Sequence, residues 1–191
     1  SAPDTDANWT SNNGVNRNGL DALGAPLNGT PKQANSTTFP TATPTNTDTP
    51  TVTLTPTETS TPTATATPVT PGAVVINEIA WSGTGASIAD EWIELYNPNG
   101  FAVNLAGWTL ASSTDGTPAI ALSGVIPAGG YYLLERTDDT TVSDVAADQI
   151  YTGGLLDGGE SLALADSGGN VVDTANGDGG AWPGGSAAPD N

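Results

Sequence analysis

The residues best placed to do chemistry are four carboxylates, Glu78, Asp90, Glu91 and Glu94, in the stretches "INEIAW" and "ADEWIELYN". Two carboxylates held at a fixed separation across a cleft would suit glycoside hydrolysis. Glu91 and Glu94, however, lie three positions apart in a run that reads as a strand, where such residues point to opposite faces. The chain contains no histidine and no cysteine, so neither a Ser-His-Asp nor a Cys-His nucleophile can be assembled. No catalytic residue is assigned, and the expectation is a protein that is not an enzyme.

Metal chemistry has one candidate. Asp157, Asp166, Asp173 and Asp178 sit in glycine-rich loops, and calcium takes oxygen ligands from loops of this kind. Their spacing matches no EF-hand, and Asp and Gly are also ordinary turn residues. Apart from this calcium candidate, no cofactor is expected. The aromatic residues Trp81, Trp92, Trp108, Trp182, Tyr96, Tyr131 and Tyr132 read first as core filling, with a sugar-binding platform as the alternative. The formal net charge is −18, with Arg17, Lys32 and Arg136 as the three basic residues. So few cations cannot neutralise a run of phosphates, which disfavours nucleic acid and anionic membrane surfaces as partners. No run approaches the roughly 20 apolar residues of a spanning helix, so membrane insertion is not expected.

The elements that would position these side chains are short strands. Between residues 72 and 191 the apolar-alternating runs "AVVINEIAW", "EWIELYNP", "LAGWTLASS", "AIALSG", "YYLLER", "DQIYTGG", "ESLALAD" and "NVVDTA" are separated by "NPNG", "PAGG", "LDGG" and "DSGGN". Strands at such spacing predict an all-β sandwich or barrel, with "ESLALADSGGNVVDTA" as a hairpin. No amphipathic helix of normal length is present.

Residues 36–71 are different. Threonine occupies every odd position from Thr41 to Thr67, and proline recurs at Pro44, Pro50, Pro56, Pro62 and Pro68. Proline fixes its own φ and biases the preceding residue to extended backbone. The tract therefore predicts an extended stalk, either β-strand or polyproline II, reaching about 110 Å in the latter. Dense Thr with Pro also favours O-linked sugar over a bare spacer, the candidates being Thr43, Thr45, Thr49, Thr51, Thr55, Thr57, Thr61, Thr63 and Thr67. Asn8, Asn28 and Asn35 begin Asn-x-Ser/Thr acceptor patterns. Residues 1–35 show no periodicity, and Trp9, Val15, Leu20, Leu23 and Leu27 are their sizeable apolar side chains. Alone they bury too little to offset their ordering entropy.

Three pieces of the globular part together resemble the lamin tail domain family. They are "VVINEIAW", then "DEWIELYNPNGFAVNLAGWTL", and "IPAGGYYLLER". The resemblance implies an immunoglobulin-like β-sandwich, an extracellular or cell-surface setting, and structural roles for Asn77, Glu78, Trp92, Glu94, Asn97, Pro98, Gly107 and Trp108. The family pattern continues through a short S-M-E-R-like strand and a segment ending in N-W to a closing G-T-P-G-x-x-N. The end of that pattern is matched by "DTDANW" and "NGTPKQANS" in residues 1–35, ahead of the sandwich, and the S-M-E-R-like strand by neither end. The expectation is that residues 1–35 complete the sandwich of a neighbouring module, with Trp9 as an anchor, and that 72–191 lack their own closing segment. Copies of the chain or adjacent tandem modules are then the expected partners, joined covalently or not. The expected role is a structural unit of an extracellular filament; the alternative is an adhesion module that binds a surface glycan or anchors a secreted protein.

Overall fold

A computed structural model describes residues 9–35 and 74–186. The Thr/Pro tract with its candidate glycosylated threonines, and Asn8, lie outside the described residues.

Ten strands follow one another without a helix among the described residues: β1 (Val75–Ala80), β2 (Trp92–Tyr96), β3 (Val103–Asn104), β4 (Thr109–Ser112), β5 (Ala119–Ala121), β6 (Val125–Ile126), β7 (Tyr131–Arg136), β8 (Gln149–Tyr151), β9 (Leu162–Ala165) and β10 (Val171–Ala175). One sheet has the order β1-β2-β7-β8, the facing one β10-β9-β4-β5, and β3-β6 form a small third pair. The pairing is antiparallel except between β7 and β8. This is an immunoglobulin-like β-sandwich.

Period-two alternation decides which side chains meet between the sheets. Ile93 and Leu95 of β2, Tyr132 and Leu134 of β7, Leu110 of β4, and Leu162 and Leu164 of β9 all join the main core. The signature glycine before Trp108 has a clear role. Gly107 adopts φ +81°, a region that L side chains rarely enter, and the turn it makes seats Trp108 in the core at 2% exposure. Asn97 ends β2 fully buried. Its amide donates to the carbonyls of Phe101 and Pro127 at 2.8 and 2.9 Å, and its oxygen accepts the Asn99 N–H at 3.0 Å. That network fixes the turn in which Pro98 follows.

Side-chain staples close the gaps between the two sheets. Asp173 of β10 accepts the Ile76 N–H of β1 at 2.7 Å. On the other side Gln149 of β8 donates to the Ala121 carbonyl of β5 at 2.9 Å. Such caps block a free edge from recruiting a foreign strand.

Candidate assembly site

The outward face of the β1-β2-β7 sheet is the unusual one. Trp92 and Glu94 of β2 and Leu133 and Glu135 of β7 point away from the main core, yet all four are buried. The cover comes from two places, the loop around Val142 and residues 18–35. Leu27, Trp92, Leu133 and Val142 form a second apolar cluster separate from the main core. Gly29 lies directly on the Trp92 ring, so close that an added Cβ would stand 2.5 Å from the ring.

Beside this cluster lies an acid pair. Glu78 and Glu94 are direct cross-strand partners, and a register shift between Ile76 and Glu78 lets Asn77 reach the same site. Like charges placed directly opposite repel. Thr30 and Lys32 of the N-terminal segment and Asn77 of β1 supply the donors. Thr30 donates its N–H to Glu78 at 3.1 Å and its hydroxyl at 2.9 Å. The Lys32 N–H donates to Glu94 Oε2, and the Asn77 amide donates to Glu94 Oε1 at 2.7 Å. Asn35 completes the frame, donating to the Asn77 carbonyl at 3.1 Å. Burial pushes the carboxyl of Glu94 up to about 8 and that of Glu78 above the ordinary carboxylate range, against the opposing pull of these hydrogen bonds. Lys32 holds φ +58° to present its N–H, and its ammonium pairs with Asp148 at 3.0 Å.

The far end of the segment meets the other end of the chain. Trp81 and Trp182 stack with ring centroids 6.2 Å apart, and Trp9 packs against the core beside them. The Gly185 N–H donates to Ser11 Oγ at 2.8 Å. Between segment and sandwich runs a cavity of about 240 Å³, walled by Trp9, Trp81, Trp182, Glu78, Asp21 and Asn28 among others. In this structure the segment is seated on the sandwich of its own chain.

The expected anchors separate. Leu27 is buried, while Leu20 is half-buried and tied down by hydrogen bonds from Ser143 and to Asp144. Val15 and Leu23 stand in solvent at 82% and 78% exposure. Val15 follows Asn13, whose side chain caps the local turn, and Leu23 sits at the tip of a turn held by Asp21, so neither faces the sandwich. Asn28 is exposed, whereas the amide of Asn35 is engaged in the frame around Asn77.

Glu91 serves the opposite side from Glu94. It pairs with Arg136 at 2.9 Å and accepts the Leu155 N–H at 2.8 Å, and burial lifts its carboxyl to about 7. Asp90 accepts the Thr84 hydroxyl at 2.9 Å within its loop. The four carboxylates thus hold loops and strands together and line no common cleft. The calcium candidates are likewise spread out. Asp166 and Asp178 cap turns, Asp173 is the inter-sheet staple, and Asp157 is exposed. Among the described residues no three acidic, His or Cys side chains converge as a metal site.

Sequence reasoning missed three features of the site. These are the acid pair as one unit, the buried Glu135, and the seat of Gly29 on Trp92. The register of β1 on β2 could have disclosed only the first. No helix among the described residues is long and apolar enough to cross a membrane. No curated protein matches the chain. The lamin tail domain model matches residues 67–177, a range that holds the sandwich through β10 and leaves out the closing segment. The match covers more than half of the sequence and agrees with the all-β sandwich just described, so the chain belongs to the lamin tail domain family, a family of structural immunoglobulin-like modules.

Proposed function

We propose that the chain is a non-enzymatic structural unit of an extracellular or cell-surface filament. Residues 1–35 of one copy complete the sandwich of the next, and the O-glycosylated tract spaces successive modules. The observation that carries this reading is the meeting of the tract's two ends: Asn35 is hydrogen-bonded to Asn77, three residues beyond Val74. A straight polyproline II tract of this length would set its ends about 110 Å apart. In this structure the segment sits on the sandwich of its own chain; a straight tract would instead carry it to a neighbour's, which is the arrangement proposed. Exchange of an identical segment keeps every contact, and a head-to-tail exchange that does not close builds a filament.

The chain carries its own probe. Lys32 is its single lysine and lies 3.0 Å from Asp148, within reach of a zero-length carbodiimide cross-link. Heavy-isotope and light chains are unfolded together, refolded and cross-linked, and the Lys32–Asp148 peptides are weighed. Mixed heavy–light peptides in statistical proportion are expected. Only heavy–heavy and light–light peptides, from a species sedimenting at 19.0 kDa, would overturn the exchange. A native denatured mass far above that value would instead mean covalently joined modules.

The cavity walled by Trp9, Trp81 and Trp182 favours a second reading, an adhesion module that binds a surface glycan. Both indole N–H groups of the stacked pair are spent on backbone carbonyls, those of Gly184 and Leu156, which weakens it. Glycan-array binding that disappears in Trp182→Ala would support this second reading.

A further inference from the structure

We infer that the acid pair Glu78/Glu94 is the recognition site for the closing segment, and that seating the segment takes up one proton, so that closure is favoured by acid. The inference rests on the segment-completion reading for its role in assembly, but its chemistry holds on a single chain.

Glu78 on β1 and Glu94 on β2 face each other across one ladder rung, on the outward side of the sheet. When the segment is away, this side of β1 and β2 is more open to water, which screens the repulsion between the two carboxylates and returns them toward the ordinary carboxylate range. When it seats, Gly29 closes over Trp92, and Thr30, Lys32 and Asn35 seal the pair. Two dehydrated carboxylates sharing a site cannot both keep full charge.

The groups around the pair supply little compensation. From the segment comes Lys32, whose ammonium is directed to Asp148 rather than to the pair. From β7 comes Tyr131, whose hydroxyl is pushed upward by burial and then by the Glu94 charge. Asp148, ahead of β8, accepts the Leu133 N–H and adds a further negative charge nearby. Each acid has two donors: Glu78 takes the Thr30 N–H, shared between its two oxygens, and the Thr30 hydroxyl, and Glu94 takes the Lys32 N–H and the Asn77 amide. Burial lifts Glu94 to about 8 and raises Glu78 as well, so the two take up the proton as one coupled unit, read most directly at Glu94.

The sign follows from linkage. The seated state holds its proton up to about pH 8, and the open state loses it near 4.5. Closure is therefore strongest below the ordinary carboxylate value and weakens as pH rises through about 8. One proton taken up over this window weakens closure by roughly 50-fold between pH 6 and pH 8.

The test is amide hydrogen exchange on the full chain from pH 5 to 9, corrected for intrinsic rates and read at Thr30 and Lys32. Sedimentation is run in parallel. Wild type is expected to lose protection at these two amides over the window, and Glu94→Gln to hold a nearly flat profile at the acid-side level. Glu135, the other buried outward acid, is left intact in that variant, so its titration cannot supply the difference. A wild type with no slope, or a Glu94→Gln variant with the full slope, would overturn the inference. Should Glu94→Gln fold poorly, a carbon-detected NMR titration of Glu94 in wild type decides, an ordinary midpoint near 4.5 being the refuting result. If the slope is present while the chain stays monomeric at every pH, the proton linkage stands and the filament reading falls. Assembly with no slope gives the reverse.

Discussion

Gly29→Ala puts the closing segment to its most direct physical test. The new Cβ would stand 2.5 Å from Trp92 Cζ2, 3.1 Å from Cη2 and 3.2 Å from Glu78 Oε1. Carbon atoms rest near 3.5–4.0 Å apart, so an overlap of about 1 Å must be relieved. The ring cannot give way, since Trp92 is 2% exposed and wedged among Leu27, Leu133 and Val142. Relief has to come from residues 29–32 lifting off the sheet. A lift of that size takes the Thr30 N–H beyond hydrogen-bond reach of Glu78, from its present 3.1 Å. Overpacking costs about 1–3 kcal/mol, and weakening a bond to a charged group adds about 1–2 kcal/mol. The sum, roughly 2–5 kcal/mol, corresponds to a roughly 30- to 4,000-fold loss of closure. Hydrogen exchange at Thr30 and Lys32 at pH 6 reads it, with thermal unfolding alongside. Gly100→Ala is the control, because nothing lies within 4 Å of an added Cβ there. If Gly29→Ala leaves protection within about threefold of wild type, the segment is not seated on Trp92 as argued.

Three further outcomes are expected. Arg136→Met strands the buried Glu91 carboxylate, so thermal unfolding at pH 8 should show a loss of roughly 2–4 kcal/mol. The loss should shrink at pH 5, where Glu91 can protonate, and Glu91→Gln in the same chain should recover most of it. Glu135 is fully buried against the backbone N–H groups of Val142 and Thr141, and burial, outweighing their opposing pull, raises its carboxyl to about 7. Its contribution is therefore best at acid pH and is lost as pH rises through 7, so Glu135→Gln should raise the melting temperature at pH 8 and do little at pH 5. Asn97→Ala leaves the carbonyls of Phe101, Ile126 and Pro127 without their shared donor. A loss of roughly 2–4 kcal/mol in denaturant unfolding should follow.

The fold was legible because its information is local. Alternating runs such as "WIELY" and "LALA" declare their inward faces, and each of the eight runs read as a strand contains one. The two strands that escaped, β3 and β6, have two residues each, too short for any period to register. The core role of Trp108 was readable from residue type, and that of Gly107 from the family resemblance, since glycine enters the φ +81° region ahead of the buried indole without the strain an L side chain meets there. The site was less legible because it is made by register and by contacts across long sequence separations. Glu78 and Glu94 become one unit only through the β1–β2 pairing, and Thr30 meets Glu78 across 48 positions. Nor does composition distinguish Leu27, which is buried, from Leu23, which is exposed: both are leucines in polar loop sequence.

The way the sandwich closes its edges bears on how copies can join. A strand edge left open invites any extended chain, and a Thr/Pro-rich neighbour would be among the nearest available. Here Asp173 occupies the Ile76 N–H, Asn35 donates to the Asn77 carbonyl, and Gln149 bridges β8 to β5. Edge-to-edge strand addition is therefore opposed at the three places where the two sheets or the segment meet an edge. Segment exchange is different in kind, because it takes apart a built contact and remakes the identical one in another copy. In the proposed exchange, Leu27 in its apolar pocket and Thr30 and Lys32 on the acid pair would supply the specificity, as other extended segments lack this order of groups. The strained φ +58° of Lys32 fits the same logic. A non-glycine residue held in that conformation costs about 1–2 kcal/mol, and what offsets it is a bond to Glu94 that exists only when the segment is seated. The segment should therefore relax at Lys32 when it leaves, so that the strain at Lys32 and its bond to Glu94 are gained or lost together on closure.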